Sequence, residues 1–381
     1  MMRLLVVDRS CVPAGVERFC LSLFPELARL GVDVFWAVPS HRIANLPSAD
    51  SVRVVPIEWP SGSWQRTLSA VCRRLSAAQG FNRLHLARVR RLREEWRADH
   101  LLYPWFLGEP LPDDYEVPRT ILVLDRNWTK FPQNFAQTPG DLDSLLESWM
   151  LRAENVVVIS RDVASDVAAC WPELAGKIVV IPLAASIRAE RAADSLPSEP
   201  CFYYPATVSS HKGHAVLLEA ARLLRARGLR FRLILSGHGT DTLARNACTT
   251  HRSLFTSGIV RTLGYTDFAT VERSYLQASA VVLPSFYEGF GLPLSEALAY
   301  GTPVICSNLS SYREQIDRLD AAAFVQIIPV GDVVALADAM AARITLGLPT
   351  SAERESIART AERWTWRDVA KAYRRLLCGT I

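Results

Sequence analysis

The run Ala280-Val281-Val282-Leu283-Pro284-Ser285 and, just behind it, Glu288-Gly289-Phe290-Gly291-Leu292-Pro293-Leu294-Ser295-Glu296 decide the fold. The first piece is a short, continuous apolar run ended by proline, the pattern of a buried strand. In the second, Leu294, Ala297 and Leu298 open a 3.6-period apolar face, and Pro293 suits a first helical position. Strand, glycine loop and helix N-terminus in that order make an anion site, because the loop offers backbone N–H groups and the helix adds partial positive charge. A carboxylate one turn further in, Glu296, is suited to accept hydrogen bonds from a pair of sugar hydroxyls. The segment therefore reads as a place for a phosphorylated sugar, most simply a nucleotide-sugar. A plainer reading stands beside it, since glycines are ordinary strand-to-helix turn residues and an early Glu favours any helix.

Outward from this segment, strands and helices alternate twice over. Arg3–Asp8, Val32–Val38, Val52–Ile57, His100–Tyr103, Thr120–Asp125, Val156–Ser160 and Ile178–Leu183 are strand candidates, with a helix over Gly15–Leu30. The polar, Pro- and Ala-rich stretch from Ala184 to Pro200 reads as a linker. The pattern restarts with Phe202–Tyr204, a helix over Gly213–Arg227, Phe231–Ser236, Val260–Leu263 and a helix over Phe268–Ala278. Ala280–Leu283, the motif helix, Val304–Cys306 and Phe324–Ile328 complete it. Short Val/Ile/Leu runs between helices argue for an α/β fold whose parallel strands are buried on both faces. Such sheets place ligands at the carboxyl ends of their strands.

Two other loops follow strands in the second half. In Tyr204-Pro205-Ala206-Thr207-Val208-Ser209-Ser210-His211-Lys212-Gly213-His214, a lysine stands beside a glycine that opens a helix. A cation is mildly unfavourable at a helix start, so Lys212 either serves a diphosphate or is simply an exposed lysine. Ser236-Gly237-His238-Gly239-Thr240-Asp241 lacks the third glycine of a dinucleotide-binding loop, and a lone G-x-G is a weak signal.

Glu288 to Glu296, with its interior Gly-Phe-Gly-Leu-Pro and the following Glu296-Ala297-Leu298-Ala299-Tyr300-Gly301-Thr302-Pro303-Val304, resembles the E-x7-E motif of retaining glycosyltransferase family 4. The resemblance implies the GT-B architecture, two facing Rossmann-like domains with parallel sheets and an interdomain cleft. It implies an acceptor domain over 1–184, a nucleotide-sugar donor domain over 185–365, and a C-terminal helix over 366–381 that returns to the first domain. Within that family Glu288 would orient the donor sugar or phosphate, and Lys212 would neutralise the diphosphate. Gly289, Phe290, Gly291 and Leu292 would offer backbone donors, and Glu296 would take the ribose hydroxyls. His211 belongs to the same donor-binding set. Gly237 and His238 would lie near the donor base or phosphate, with a simple turn role as the other reading of His238.

Departures from the family are concentrated on the acceptor side. Where many members carry two adjacent glycines, Pro13-Ala14-Gly15-Val16 keeps only Gly15 to let donor or acceptor approach the backbone. Where many carry His-Asp, Leu124 precedes Asp125, so the histidine's part is lost or falls to Arg126, Asn127 or a residue elsewhere. An upstream arginine is replaced by Thr207. The His-Lys-x-His form is similar to bacterial mannosyltransferases of surface polysaccharide synthesis, which tilts the donor toward GDP-mannose. Ser160-Arg161-Asp162 reads as an N-cap.

The expectation is a retaining hexosyltransferase, with mannose as the sugar, acting on a glycan or lipid-linked acceptor hydroxyl. Its catalytic candidates are Glu288, Lys212 and Asp125, and the resemblance implies no metal or cofactor beyond the nucleotide-sugar co-substrate. Asp141-Leu142-Asp143 has the letters of a metal motif but reads as a helix start. The alternative is a catalytically weak nucleotide-sugar-binding or scaffold subunit.

Composition agrees with a globular enzyme. At 381 residues the chain suggests two or three domains, and 49% apolar with 22% charged residues argues against disorder. Eight scattered cysteines without a C-x-x-C pair favour a reducing compartment. Met2–Val7 is too short for a signal peptide core, and no run approaches a membrane span, so a cytoplasmic location is expected. Arg83–Arg97 interleaves six arginines with Leu84, Leu86, Val89, Leu92 and Trp96. That basic amphipathic helix is either a solvated face or a peripheral contact with an anionic membrane at its inner face. Nucleic acid is not expected, because no stacking motif accompanies the charge.

Overall fold

The computed structural model describes residues 2–8, 15–43, 46, 52–57, 78–106, 117–186 and 199–379, with backbone alone over 78–86. The chain divides into two compact units. The first comprises Met1–Arg126, Gln137–Leu183 and Trp366–Ile381; the second comprises Asn127–Ala136 and Ala184–Thr365. The short segment Asn127–Ala136 thus groups with the second unit, whereas the sequence reading placed everything before 185 in the first domain. Most of the expected linker, residues 187–198, lies outside the described residues.

In the first unit β1 (Met2–Val7), α1 (Gly15–Arg29), β2 (Val32–Pro39), α2 (Ser40–Ile43) and β3 (Val52–Ile57) come first. Next are α3 (Ala78–Trp96), β4 (His100–Tyr103) and β5 (Arg119–Val123). After α4 (Asn127–Lys130), which belongs to the second unit, follow α5 (Pro139–Arg152), β6 (Asn155–Val158), α6 (Arg161–Cys170) and β7 (Ile178–Val180). The seven strands are all parallel, in the order β3-β2-β1-β4-β5-β6-β7. Leu4 to Val7, Leu101, Leu102 and Ile121 to Val123 are fully buried, as central parallel strands covered on both faces require. β5 ends two residues sooner than expected, leaving Leu124, Asp125 and Arg126 in the connection beyond it. The last helix, α15 (Trp366–Leu377), packs on α1: the Phe19 ring lies edge-on to Trp366 at 6.0 Å and against Tyr373 at 5.9 Å.

The second unit contains β8 (Cys201–Pro205), α7 (His214–Ala226), β9 (Arg232–Ser236), α8 (Thr240–Asn246), α9 (Thr249–Thr256) and β10 (Val260–Thr262). It continues with α10 (Phe268–Gln277), β11 (Ala280–Leu283), α11 (Leu292–Ala299), β12 (Val304–Ser307), α12 (Ser310–Leu319), β13 (Val325–Ile328), α13 (Val333–Leu346) and α14 (Ser351–Ala361). Its six strands are also parallel, in the order β10-β9-β8-β11-β12-β13. The order reverses between β8 and β11. Connections leaving those two neighbours go opposite ways, which opens a crevice beyond their carboxyl ends. The Lys212 loop follows β8 and the Glu288 loop follows β11, so topology alone brings them together.

Candidate functional site

Two glycines let the loops of the second unit approach so closely. Gly213 caps α7 in the left-handed region, and a Cβ there would stand 2.1 Å from the Pro284 carbonyl oxygen. Gly237 has φ +127°, and its Cβ would stand 2.6 Å from the Ala206 carbonyl. Neither position tolerates a side chain without moving a neighbouring backbone. Phe286 N–H also donates to the His211 carbonyl (2.7 Å), tying the β11 loop to the β8 loop.

At the centre, Lys212 Nζ donates to both carboxylate oxygens of Glu288, at 2.8 and 2.7 Å, although the two residues are 76 positions apart. Ser285 Oγ donates to Glu288 Oε1 at 2.8 Å, and the Tyr312 hydroxyl reaches the same oxygen at 3.4 Å. The Tyr204 hydroxyl donates to the Lys212 carbonyl and lies 3.3 Å from Ser285 Oγ. Burial, with the Glu288 charge adding to it, holds the Tyr204 and Tyr312 phenols well above their ordinary pKa, so both remain protonated donors. Lys212 spends two of its three ammonium hydrogens on Glu288; the third has no protein acceptor among the described residues and can serve an anion. Ser285, Tyr204 and Tyr312 did not stand out in the sequence as site residues. Tyr204 and Ser285 end the two strand signals, but nothing local marks Tyr312.

The motif loop is aimed from behind. Gln315, buried on α12, donates to the Phe290 carbonyl. A trans peptide sets N–H opposite C=O, so the Gly291 N–H points away from Gln315. Gly291 itself caps α11 at φ 88°, ψ 60°, and Leu292 rather than Pro293 is the first helical residue; Pro293 occupies the second position, which it also fits.

Glu296 is 2% exposed, and its Oε2 accepts from the Tyr275 hydroxyl at 2.7 Å. Tyr275 stacks on Tyr300 at 5.2 Å. A buried carboxylate needs such bonds to be tolerated at all. The depth of Glu296 leaves little of its surface for ribose hydroxyls. His238 is exposed and stacks on Tyr265 (4.3 Å, 13°), while its carbonyl accepts from Val208 N–H at 2.8 Å. The G-x-G turn therefore touches both the β8 loop and the loop after β10.

In the first unit, Asp125 is half-buried just past β5, and Gly15 opens α1 with nothing among the described residues within 4 Å of where a Cβ would stand. Packing among the described residues does not demand glycine at position 15. Arg126 is withdrawn from any role in place of the absent histidine. Its guanidinium is buried, bound to Asp143 (2.9 Å) and Asp166 (3.3 Å) and laid over the Trp171 ring. Asp143 is thereby an ion-pair partner within α5, whose N-cap Thr138 accepts from Asp141 N–H. Ser160 caps α6 by accepting from Val163 N–H. Asn127 instead lies in the second unit, 3.3 Å from His211 Nδ1.

On α3, Val89 and Leu92 are buried, Trp96 is half-buried and Arg90 and Arg91 are exposed, as is Arg97 just beyond the helix, so among its described side chains the apolar ones turn toward the fold. Side chains over 78–86, Arg83 among them, lie outside the described residues. No helix among the described residues is long and apolar enough to cross a membrane. The cysteines among them are free, and no cluster of three or more His, Cys, Asp or Glu there could hold a metal.

Residues 187–364 match the family described as Glycosyl transferases group 1. The chain is 38% identical over 117 residues to the O-antigen chain mannosyltransferase B of Escherichia coli, a match covering 30% of each protein. It thus aligns with less than a third of that relative's length. It is 26% identical over 378 residues to the phosphatidyl-myo-inositol mannosyltransferase of Mycobacterium leprae, covering 96% of this chain and 93% of that protein. Among solved structures, Anabaena HepE in complex with UDP-glucose superposes with a TM-score of 0.69 at 15% identity, covering 100% of both chains.

Proposed function

Because the chain carries a glycosyl transferases group 1 domain and has the GT-B fold of glycosyltransferases, we propose that it moves a hexose from a nucleotide-diphosphate sugar to a hydroxyl of a glycan or lipid-linked acceptor, with retention at the anomeric carbon. One observation carries this reading: Lys212 and Glu288, from loops on either side of the strand-order reversal, meet at 2.7–2.8 Å, and the Glu288 loop runs on through Gly291 into the start of α11. That set supplies a cation, a helix N-terminus and an outward backbone donor for a diphosphate, and a carboxylate for a sugar hydroxyl. Lys212 neutralises charge growing on the leaving phosphate, and losing it raises the barrier by roughly 3 kcal/mol, as for other preorganised charge stabilisers. Glu288, shared between Lys212, Ser285 and Tyr312, is held rigidly enough to orient a sugar hydroxyl. Glu296, carried by α11 and bonded to Tyr275, is the carboxylate that takes the ribose hydroxyls. HepE's complex with UDP-glucose supports a nucleotide-sugar as donor. The mannosyltransferase relatives and the His-Lys-x-His loop favour GDP-mannose.

The test is Glu296→Ala with donor binding and sugar transfer both measured. Loss of charge-assisted bonds of roughly 1.5–3 kcal/mol each weakens donor binding at least tenfold. Unchanged donor affinity would remove Glu296 from the site. Where the acceptor is lipid-linked at an anionic membrane surface, the exposed arginines of α3 supply charge for the contact, since Val89 and Leu92 are buried. Charge reversal at Arg88, Arg90 and Arg91 should lower binding to phosphatidylglycerol vesicles; equal binding dismisses the contact.

A further inference from the structure

Three side chains converge on one ring nitrogen of His211. Ser209 Oγ lies 2.9 Å from Nδ1, and the amide nitrogens of Asn127 and Asn134 each lie 3.3 Å from it. An amide nitrogen only donates, so Nδ1 has to accept. The direction of the Asn134 amide is set by a chain of bonds. Gln133 Nε2 donates to Ser210 Oγ (3.0 Å), Ser210 Oγ donates to Asn134 Oδ1 (3.0 Å), and the Asn134 NH2 is left facing His211. In a neutral imidazole the proton then resides on Nε2, which has no protein hydrogen-bond partner among the described residues.

The segment that supplies these amides is anchored independently. Phe131 lies against the imidazole at 5.6 Å, and Lys130 Nζ sits 4.3 Å from the centre of the Tyr287 ring. Asn127 and Asn134 come from residues 127–136, a stretch that groups with the second unit although first-unit residues stand on both sides of it.

We propose that Asn127 and Asn134 are positioning residues that lock His211 as a neutral Nε2–H donor, beside Lys212, for the diphosphate of the donor. This rests on the donor-site reading given above. The charged and titratable groups that act on the imidazole are Lys212, which opposes its protonation, and Glu288, which favours it. Burial and Lys212 outweigh Glu288 and push its pKa down to about 4. A locked tautomer offers phosphate oxygens the same hydrogen bond across the neutral range, where an ordinary histidine would change charge near 6.5.

Nitrogen-15 NMR of the histidine-labelled full chain tests this without any nucleotide. His211 should show a protonated Nε2 and a bare Nδ1 from pH 8 down to about 5, and inorganic pyrophosphate should shift Nε2. Asn127→Asp with Asn134→Asp replaces two donors by acceptors, which should move the proton to Nδ1 and lift the pKa above 6. Transfer by that variant should fall roughly tenfold at pH 8, the size of one lost hydrogen bond, and acquire a pH dependence between 5 and 8. Asn134→Asp alone, at the exposed end, serves if the pair does not fold. A wild-type Nδ1–H tautomer, or Asp variants with an unchanged tautomer, overturns the inference and leaves the donor-site reading intact. A pyrophosphate titration that moves neither His211 nor Lys212 overturns both.

Discussion

Gly291→Ala offers the sharpest structural test of the motif loop. The backbone there has φ 88° and ψ 60°, a left-handed conformation costing an L-residue about 1–2 kcal/mol. The added methyl would also stand 2.4 Å from Tyr312 Cε1, 3.2 Å from Cδ1 and 3.3 Å from Cζ. Tyr312 is buried and cannot swing into solvent, so the clash is relieved by shifting a packed ring, at about 1–3 kcal/mol. The expected total is about 2–5 kcal/mol, read from urea unfolding of the transition belonging to the second unit. Because the Tyr312 hydroxyl reaches Glu288, donor affinity should fall in parallel. Gly15→Ala is the control: its Cβ meets nothing within 4 Å among the described residues, and it should change stability by less than about 0.5 kcal/mol. A cycle with Tyr312→Ala separates the terms, since the clash appears as a coupling of at least about 1 kcal/mol while backbone strain does not. A Gly291→Ala protein as stable as wild type, or a cycle without coupling, would refute this reasoning.

Lys212→Met strands Glu288 beside two buried tyrosines and should cost about 2–3 kcal/mol. That is below the value for a fully buried pair, because the side chains are 21% and 11% exposed. Adding Glu288→Gln should restore part of the loss, and purely additive urea midpoints would show that the pair is not coupled. Arg126→Met leaves Asp143 and Asp166 without their cation and should destabilise the first unit by about 3 kcal/mol; a change within about 0.5 kcal/mol would contradict the structural role given to it. His100, His211 and His214 are each pushed by burial to a pKa of about 4, whereas the unfolded chain takes up protons near 6.5. Their contribution to stability is therefore complete above pH 6.5 and is lost as pH falls toward 4. The urea midpoint should drop over that window, and His214→Phe, whose ring can keep the contact with Tyr204, should flatten the slope; an equal slope would oppose this.

The strands were legible because parallel strands covered on both faces must be continuous and apolar. Val52–Ile57, His100–Tyr103 and Ala280–Leu283 carry the expected bounds. Residues 240–256 drew no helix expectation, since α8 and α9 are short and polar and held by their setting rather than by periodicity. Phe324 proved to lie in a 3-10 turn before β13, where an apolar residue packs without joining the ladder. The meeting of Lys212 and Glu288 follows from strand order, which no local pattern encodes. The same holds for Tyr312, Gln315 and the amides of Asn127 and Asn134. They reach the loops from other elements, and their residue types are common on any helix or turn.

Binding of UDP-, GDP- and dTDP-sugars, read as thermal shifts of wild type and Lys212→Ala side by side, tests the central claim most directly. A ligand at a hundred times its Kd stabilises the folded state by about 2.7 kcal/mol. One class of nucleotide-sugar should raise the melting temperature of the wild type by several degrees, and Lys212→Ala should lose most of that rise. No shift with any nucleotide-sugar, or an equal shift in the variant, would contradict a donor site built on Lys212 and Glu288.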